Sequence, residues 1–114
     1  MRLMSFGVAA LALMAVMGTA QAKGVSKQQV EVCRWGADMA RSAQQSKLSG
    51  TTLWRARENL KVRKFSKPWM PKMALGITEQ TYASRSRLQP ASVKKTYYEG
   101  CIRHEQGRNQ MSRR

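Results

Sequence analysis

From about residue 27 onward, apolar positions recur every three to four residues in four runs, divided by glycine, proline and short polar stretches. That spacing predicts helices rather than strands, and no segment alternates with period two over strand length. Ser26 and Gln29 stand three apart, as a capping box requires, so the first helix is expected to start at Ser26. Val32, Gly36, Met39 and Ala43 recur at helical spacing, with Cys33, Ala37 and Ala40 beside them. These small residues would let another helix approach closely. Leu48-Ser49-Gly50 reads as the exit, with Gly50 able to adopt the left-handed conformation.

Thr51 or Thr52 can cap a second helix, in which Leu53, Ala56 and Leu60 form a narrow apolar stripe and the rest is strongly basic. Pro68 and Pro71 are expected to end it, since neither can continue the hydrogen-bond ladder. A third, weaker helix is predicted from about Lys72 to Ala83, with Met73 and Ile77 four apart and Gly76 as a soft spot. Ser84 to Gln89 is a polar turn. Pro90 suits the first position of a fourth helix, where Val93, Tyr97 and Cys101 stack at four-residue intervals and Tyr98 and Ile102 widen the face. Gly107 is expected to end this helix, leaving 108–114 as a disordered basic tail. The pattern as a whole predicts an all-α domain over 23–107, with three to four short helices.

The first 22 residues read differently. Arg2 is followed by an apolar run from Leu3 to Met17, and Ala20-Gln21-Ala22 is a small-x-small cleavage site. This is the layout of a secretory signal peptide, with the mature chain beginning at Lys23. The run is short for a bilayer span, which needs about 20 residues. Lys23 stands where a lipid-anchored bacterial protein would need cysteine. The expected location is therefore the periplasm or the secreted fraction.

Removing that leader changes the composition. It carries a third of the hydrophobic residues but one charged residue, Arg2, so the remainder is poorer in core material and almost as basic as the whole chain, which has net charge +15. A domain this small buries a limited share of its surface, and self-repulsion opposes compaction further. Cys33 and Cys101, the two cysteines, lie near the start of the first helix and the end of the last. In an oxidising compartment a Cys33–Cys101 disulfide would tie the first and last helices together. Closing a loop of roughly 70 residues is worth about 4 to 4.5 kcal/mol on the chain-entropy model, a large share of a typical 5–15 kcal/mol stability. The alternatives are two free thiols or one bond between chains. There is no Cys-x-x-Cys redox motif.

Together, the signal peptide, Cys33-Arg34-Trp35-Gly36-Ala37 in the first helix, Ile77 with Tyr82, and the terminal Tyr98-Glu99-Gly100-Cys101 resemble small secreted proteobacterial two-cysteine helical proteins. The resemblance implies a periplasmic helical domain and implies no activity. This chain departs from the usual member in being so basic.

The stretch from Trp54 to Lys72 carries the strongest functional signal. Arg55, Arg57, Lys61, Arg63, Lys64, Lys67 and Lys72 stand against one acid, Glu58, with Trp54, Phe65 and Trp69 interleaved. On one continuous helix Arg57, Lys61 and Lys64 would line one edge of the apolar stripe. Cations pair with phosphates, and flat aromatics stack on bases or settle at a lipid interface. An anion-binding face is one reading, with Trp54 and Trp69 as aromatic contacts. Its partner would be an acidic protein, or a polyanion or anionic membrane surface such as lipopolysaccharide, phospholipid or nucleic acid. The other reading is a solvated basic helix whose aromatics belong to the core. Arg103, Arg108, Arg113 and Arg114 add to the charge.

Other candidate chemistry is thin. Cys101 and His104 form Cys-x-x-His, two of the four ligands a structural zinc needs. Met70 and Met73 could offer thioethers to copper(I), but such pairs usually fill cores. Glu31 with Arg34 and Asp38 with Arg41 have ion-pair spacing. Gly-rich phosphate loops, His-Glu-x-x-His and Gly-x-Ser-x-Gly are all absent from the sequence. The expectation is a non-enzymatic protein with no metal and no cofactor. A deep pocket gathering Tyr97, Glu99 and His104 would reopen the question of catalysis.

Overall fold

The structure is a computed structural model and describes residues 24–112. The expected signal peptide, Lys23, Arg113 and Arg114 lie outside them. Four helices account for most of what is described: α1 (Lys27–Leu48), α2 (Leu53–Val62), α3 (Met70–Ala83) and α4 (Pro90–Ser112). There is no strand among the described residues. The chain is all-α, and Cys33 and Cys101 are joined by a disulfide linking the first and last helices, with Cα atoms 5.6 Å apart.

α1 begins as the capping box requires. The Ser26 hydroxyl accepts from the Gln29 N–H at 3.1 Å, while Gln29 Oε1 accepts from the Ser26 N–H at 2.9 Å. Its exit turns through Gly50 at φ +89°, a conformation glycine adopts without steric cost. Thr52, rather than Thr51, caps α2 and accepts from the Arg55 N–H at 3.1 Å.

α1 is the central element, against which α4, α3 and, more lightly, α2 pack; α2 also packs on α3. α4 runs antiparallel to α1 in a register fixed at four levels. Gln29 Nε2 donates to Glu105 and to Asn109, each at 3.0 Å. The disulfide lies one turn further along, then Tyr97 over Gly36, then Lys94 paired with Asp38 at 2.9 Å. Asp38 thus reaches across to α4 instead of along its own helix to Arg41. No Glu31–Arg34 ion pair forms among the described residues.

The core is thin, as the composition implies. Its buried apolar residues are mostly small or flexible, and the central cluster is Met39, Ala40, Ala74 and Ile77. Partly buried Trp35, Leu60, Phe65, Met73, Val93 and Tyr97 close around it. α4 contributes no fully buried residue, so apolar burial alone holds it weakly and the covalent link matters correspondingly more.

Three boundaries differ from the sequence expectation. α2 ends at Val62, well before Pro68, because Arg63 turns extended (φ −77°, ψ 136°). That turn lets Phe65 meet Trp35 edge-on at 6.1 Å and sets the Arg63 guanidinium 5.0 Å from the centre of the Phe65 ring. Tertiary contacts of the aromatics outweigh the local helical pattern. Pro71 terminates nothing. It sits in the first turn of α3, where a missing N–H costs no bond and the fixed φ suits the helix, so α3 starts at Met70. α4 runs through Gly107 to Ser112 where a tail was expected. Asn109 donates to the Gly24 carbonyl at 2.8 Å, and Arg108 pairs with Glu105 at 2.7 Å. A glycine inside a helix costs about 1 kcal/mol, and the bonds of Asn109 to Gly24 and Gln29 at the start of α1 offset it.

Candidate anion-binding surface

The basic stretch does not form one continuous helical edge. It is divided among α2, the 63–69 connection and the first turn of α3, and its residues have separate fates.

On α2 the apolar stripe turns Leu53, Ala56 and Leu60 inward. Arg57 lies beside that stripe and pairs with Glu79 of α3 at 3.6 Å. It therefore helps bind α2 to α3 and is not fully free for a partner. Lys61 is exposed but matched by Glu58 at 2.7 Å. The outer face carries Trp54, 63% exposed, and Val62, 83% exposed. Arg55 lies over the Trp54 ring at 5.8 Å, cation–π contact distance.

In the connection, Lys64 and Lys67 are exposed, and neither makes an ion pair within the described residues. Arg63 is held against the body: Nη1 lies 3.5 Å from Met39 Sδ and the guanidinium covers Phe65. Lys72 is exposed on α3 at the rim of a shallow hollow that Trp69 and Met73 help to line.

The two tryptophans of the stretch thus divide. Trp69 packs edge-on against Trp35 at 5.3 Å and belongs with Phe65 to a structural aromatic cluster. Trp54 alone stands out toward solvent. Sequence spacing could not distinguish them, because the partner that claims Trp69 is Trp35, about two turns into α1.

The remaining surface charge is uneven. Of the acids, Asp38, Glu58, Glu79 and Glu105 are each engaged by a cation of the same chain. Arg55 stays beside Trp54 at the start of α2, while Lys64, Lys67 and Lys72 are exposed in the connection and the first turn of α3, strung along the α2–α3 side of the molecule.

The Cys101 sulfur is in the disulfide, so Cys-x-x-His cannot offer a thiolate, and His104 is an exposed side chain of α4. Met70 is buried, with its sulfur 3.6 Å from the Ser66 hydroxyl. No group of three or more metal-ligating side chains gathers among the described residues. Tyr97 and His104 do line a common space, an open groove of about 900 Å³ between α3 and α4, but Glu99 is outside its lining. Burial raises the Tyr97 phenol above its ordinary range, as it does for Tyr82. A phenol shifted in that direction holds its proton more firmly and is a poorer base at neutral pH.

Sequence reasoning missed Lys47 and Gln44. Lys47 Nζ donates to the carbonyls of Thr81, Ser84 and Ser86 at 3.2, 3.0 and 2.8 Å. Gln44, 1% exposed, donates to those of Ser86 and Leu88 at 3.1 and 2.8 Å. Both sit at the end of the small-residue face of α1, and the only signal in the sequence was a polar residue in line with Ala37 and Ala40. They pin the 84–89 connection and thereby fix one end of the groove.

Compared with known protein families, with curated proteins and with solved structures, the chain matches no family model, no curated protein and no solved structure.

Proposed function

We propose that the chain is a small exported, non-enzymatic helical protein that presents its basic α2–α3 corner to an acidic partner protein. The disulfide is consistent with an oxidising compartment such as the periplasm. The observation that carries the reading is the outer face of α2: an exposed tryptophan with Arg55 over its ring and an exposed valine, followed by Lys64 and Lys67, which no acid among the described residues pairs. Desolvated aromatic anchors ringed by charge are what protein interfaces concentrate their binding energy on. Opposite charge on the partner would speed encounter and fix orientation.

A second reading, a polyanion or anionic membrane surface such as lipopolysaccharide, phospholipid or nucleic acid, draws on the same residues. Its support is Trp54 itself, since an exposed indole beside cations suits a headgroup layer or a stacked base. Salt separates the two. The mature oxidised protein, used as bait in periplasmic extract at low and moderate salt, should retain a stoichiometric acidic partner at both, and Arg55→Glu with Lys64→Glu should release it. Retention on heparin or anionic vesicles that collapses steeply with salt, with no protein partner surviving, would favour the second reading. Unchanged capture by the double variant would remove the α2–α3 corner from both.

A further inference from the structure

We propose that the groove between α3 and α4 seats an acidic amphipathic helix of a partner protein, an inference that rests on the acidic-partner reading above but uses a different surface. α3 and α4 each pack on α1; their backbones stay apart, and their side chains converge where Met73 and Tyr97 meet over Gly36. The space they leave has the layout of a helical bundle lacking one member, with Ala40 and Gln44 of α1 in its floor. Helices pack at interaxial distances of about 8–10 Å, and a helix laid in this groove would touch both walls.

The lining suits such an occupant. Met73, Leu88, Val93 and Tyr97 offer partly exposed apolar surface along it, and Leu88 is 55% exposed. On α4, Val93, Tyr97, Gly100 and His104 follow one another at four, three and four residues, which places them on one face. Gly100 lies within a helix, where it costs about 1 kcal/mol relative to alanine, and a Cβ there would meet nothing within 4 Å. Among the described residues nothing fills the space over it, and a backbone docked in the groove would. Amphipathic helices enter grooves of this kind through apolar anchors at i, i+3 or i+4, and i+7.

Charge decides which helix. Arg85 and Arg87 are exposed on either side of the groove-lining Ser86, the Lys47 ammonium stands at the same end, and Arg103 is exposed beside His104. The one carboxylate of the lining, Glu105, is held by Arg108. A second copy would bring another strongly basic surface, the whole chain carrying +15, so the complementary occupant is an acidic helix of another protein.

The test is photo-crosslinking in the exporting cell, with p-benzoylphenylalanine replacing Thr96, exposed at the edge of the groove, in the full chain and, in a separate strain, replacing the exposed Asn59 on α2. The expected product at Thr96 is a peptide of another protein, sequenced by mass spectrometry. It should be net negative with apolar residues at i, i+3 or i+4, and i+7, and its yield should fall at least tenfold on adding Leu88→Asp, a variant whose fold is checked by circular dichroism. A cross-link to a second copy, to residues 1–23 of the chain itself or to a basic or non-periodic segment overturns the proposal. So does a yield indifferent to Leu88→Asp. Cross-linking at Asn59 without any at Thr96 overturns the groove alone, and failure at both positions overturns the acidic-partner reading with it.

Discussion

Tyr97 lies so close over Gly36 that a Cβ at residue 36 would stand 2.8 Å from a carbon of the Tyr97 ring and 2.9 Å from its hydroxyl oxygen, with the Met73 methyl also at 2.8 Å. One glycine therefore sets how closely α4 and α3 approach α1, at the level between the disulfide and the Asp38–Lys94 pair. Gly36→Ala should destabilise by about 1–3 kcal/mol through overpacking, despite alanine's higher helix propensity. Urea unfolding followed by circular dichroism reads the effect. Gly100→Ala, with open space around its Cβ, should be neutral or stabilising by up to about 1 kcal/mol.

The two tryptophans of the basic stretch should respond in opposite ways. Trp69→Ala removes an edge-on partner of Trp35 and should cost about 2 kcal/mol or more. Trp54→Ala should leave stability within about 0.5 kcal/mol while weakening whatever the α2–α3 corner binds. Thermal unfolding of both variants, set beside capture of the partner, makes the comparison.

Alkaline pH should loosen the fold before neutral or mildly acidic pH does. Burial raises the phenols of Tyr82 and Tyr97, so the folded state holds these protons more tightly than the unfolded chain. Their contribution is fully present below the ordinary tyrosine range near 10 and is lost as pH rises through the higher folded values. Stability measured between pH 7 and 11 should fall at the top of that interval. Tyr82→Phe should lessen the fall while costing about 1 kcal/mol at neutral pH, because the Tyr82 hydroxyl donates to the Thr51 carbonyl at 2.8 Å.

Gln44→Ala should free the 84–89 connection. It leaves the Leu88 carbonyl without its donor and opens space in a fully buried position, a loss of about 1–3 kcal/mol. Hydrogen exchange should quicken in 84–89 and at the start of α4 more than in α2.

What could be read from the sequence was local. Ser26, Thr52 and Pro90 mark helix starts by chemistry confined to one turn, Gly50 marks an exit by its own φ, and the Cys33–Cys101 pairing followed from two cysteines and an expected oxidising compartment. What could not be read depended on distant partners. α2 stops at Arg63 because Phe65 meets Trp35, Arg57 is taken up by Glu79, and α4 persists past Gly107 because Asn109 finds Gly24 and Gln29. The residues of the expected anion face differ in exposure. Arg55, Lys64, Lys67, Lys72 and Trp54 remain outward, whereas Trp69 and Arg63 are structural. The groove left no mark in the pattern, since it arises from two helices whose backbones stay apart across α1.

The account depends most on covalent closure of a thin core. α4 has no fully buried side chain, so its place on α1 rests on the Cys33–Cys101 bond, the Gln29–Asn109 contacts and the Tyr97–Gly36 approach. The direct measurement is urea unfolding of the protein, monitored by circular dichroism, with the disulfide intact and after reduction and thiol blocking. A loss of about 2–5 kcal/mol on reduction, with α4 the first element to lose hydrogen-exchange protection, is the predicted result. Equal stability in the two forms, or two titratable thiols in protein isolated without reductant, would contradict it.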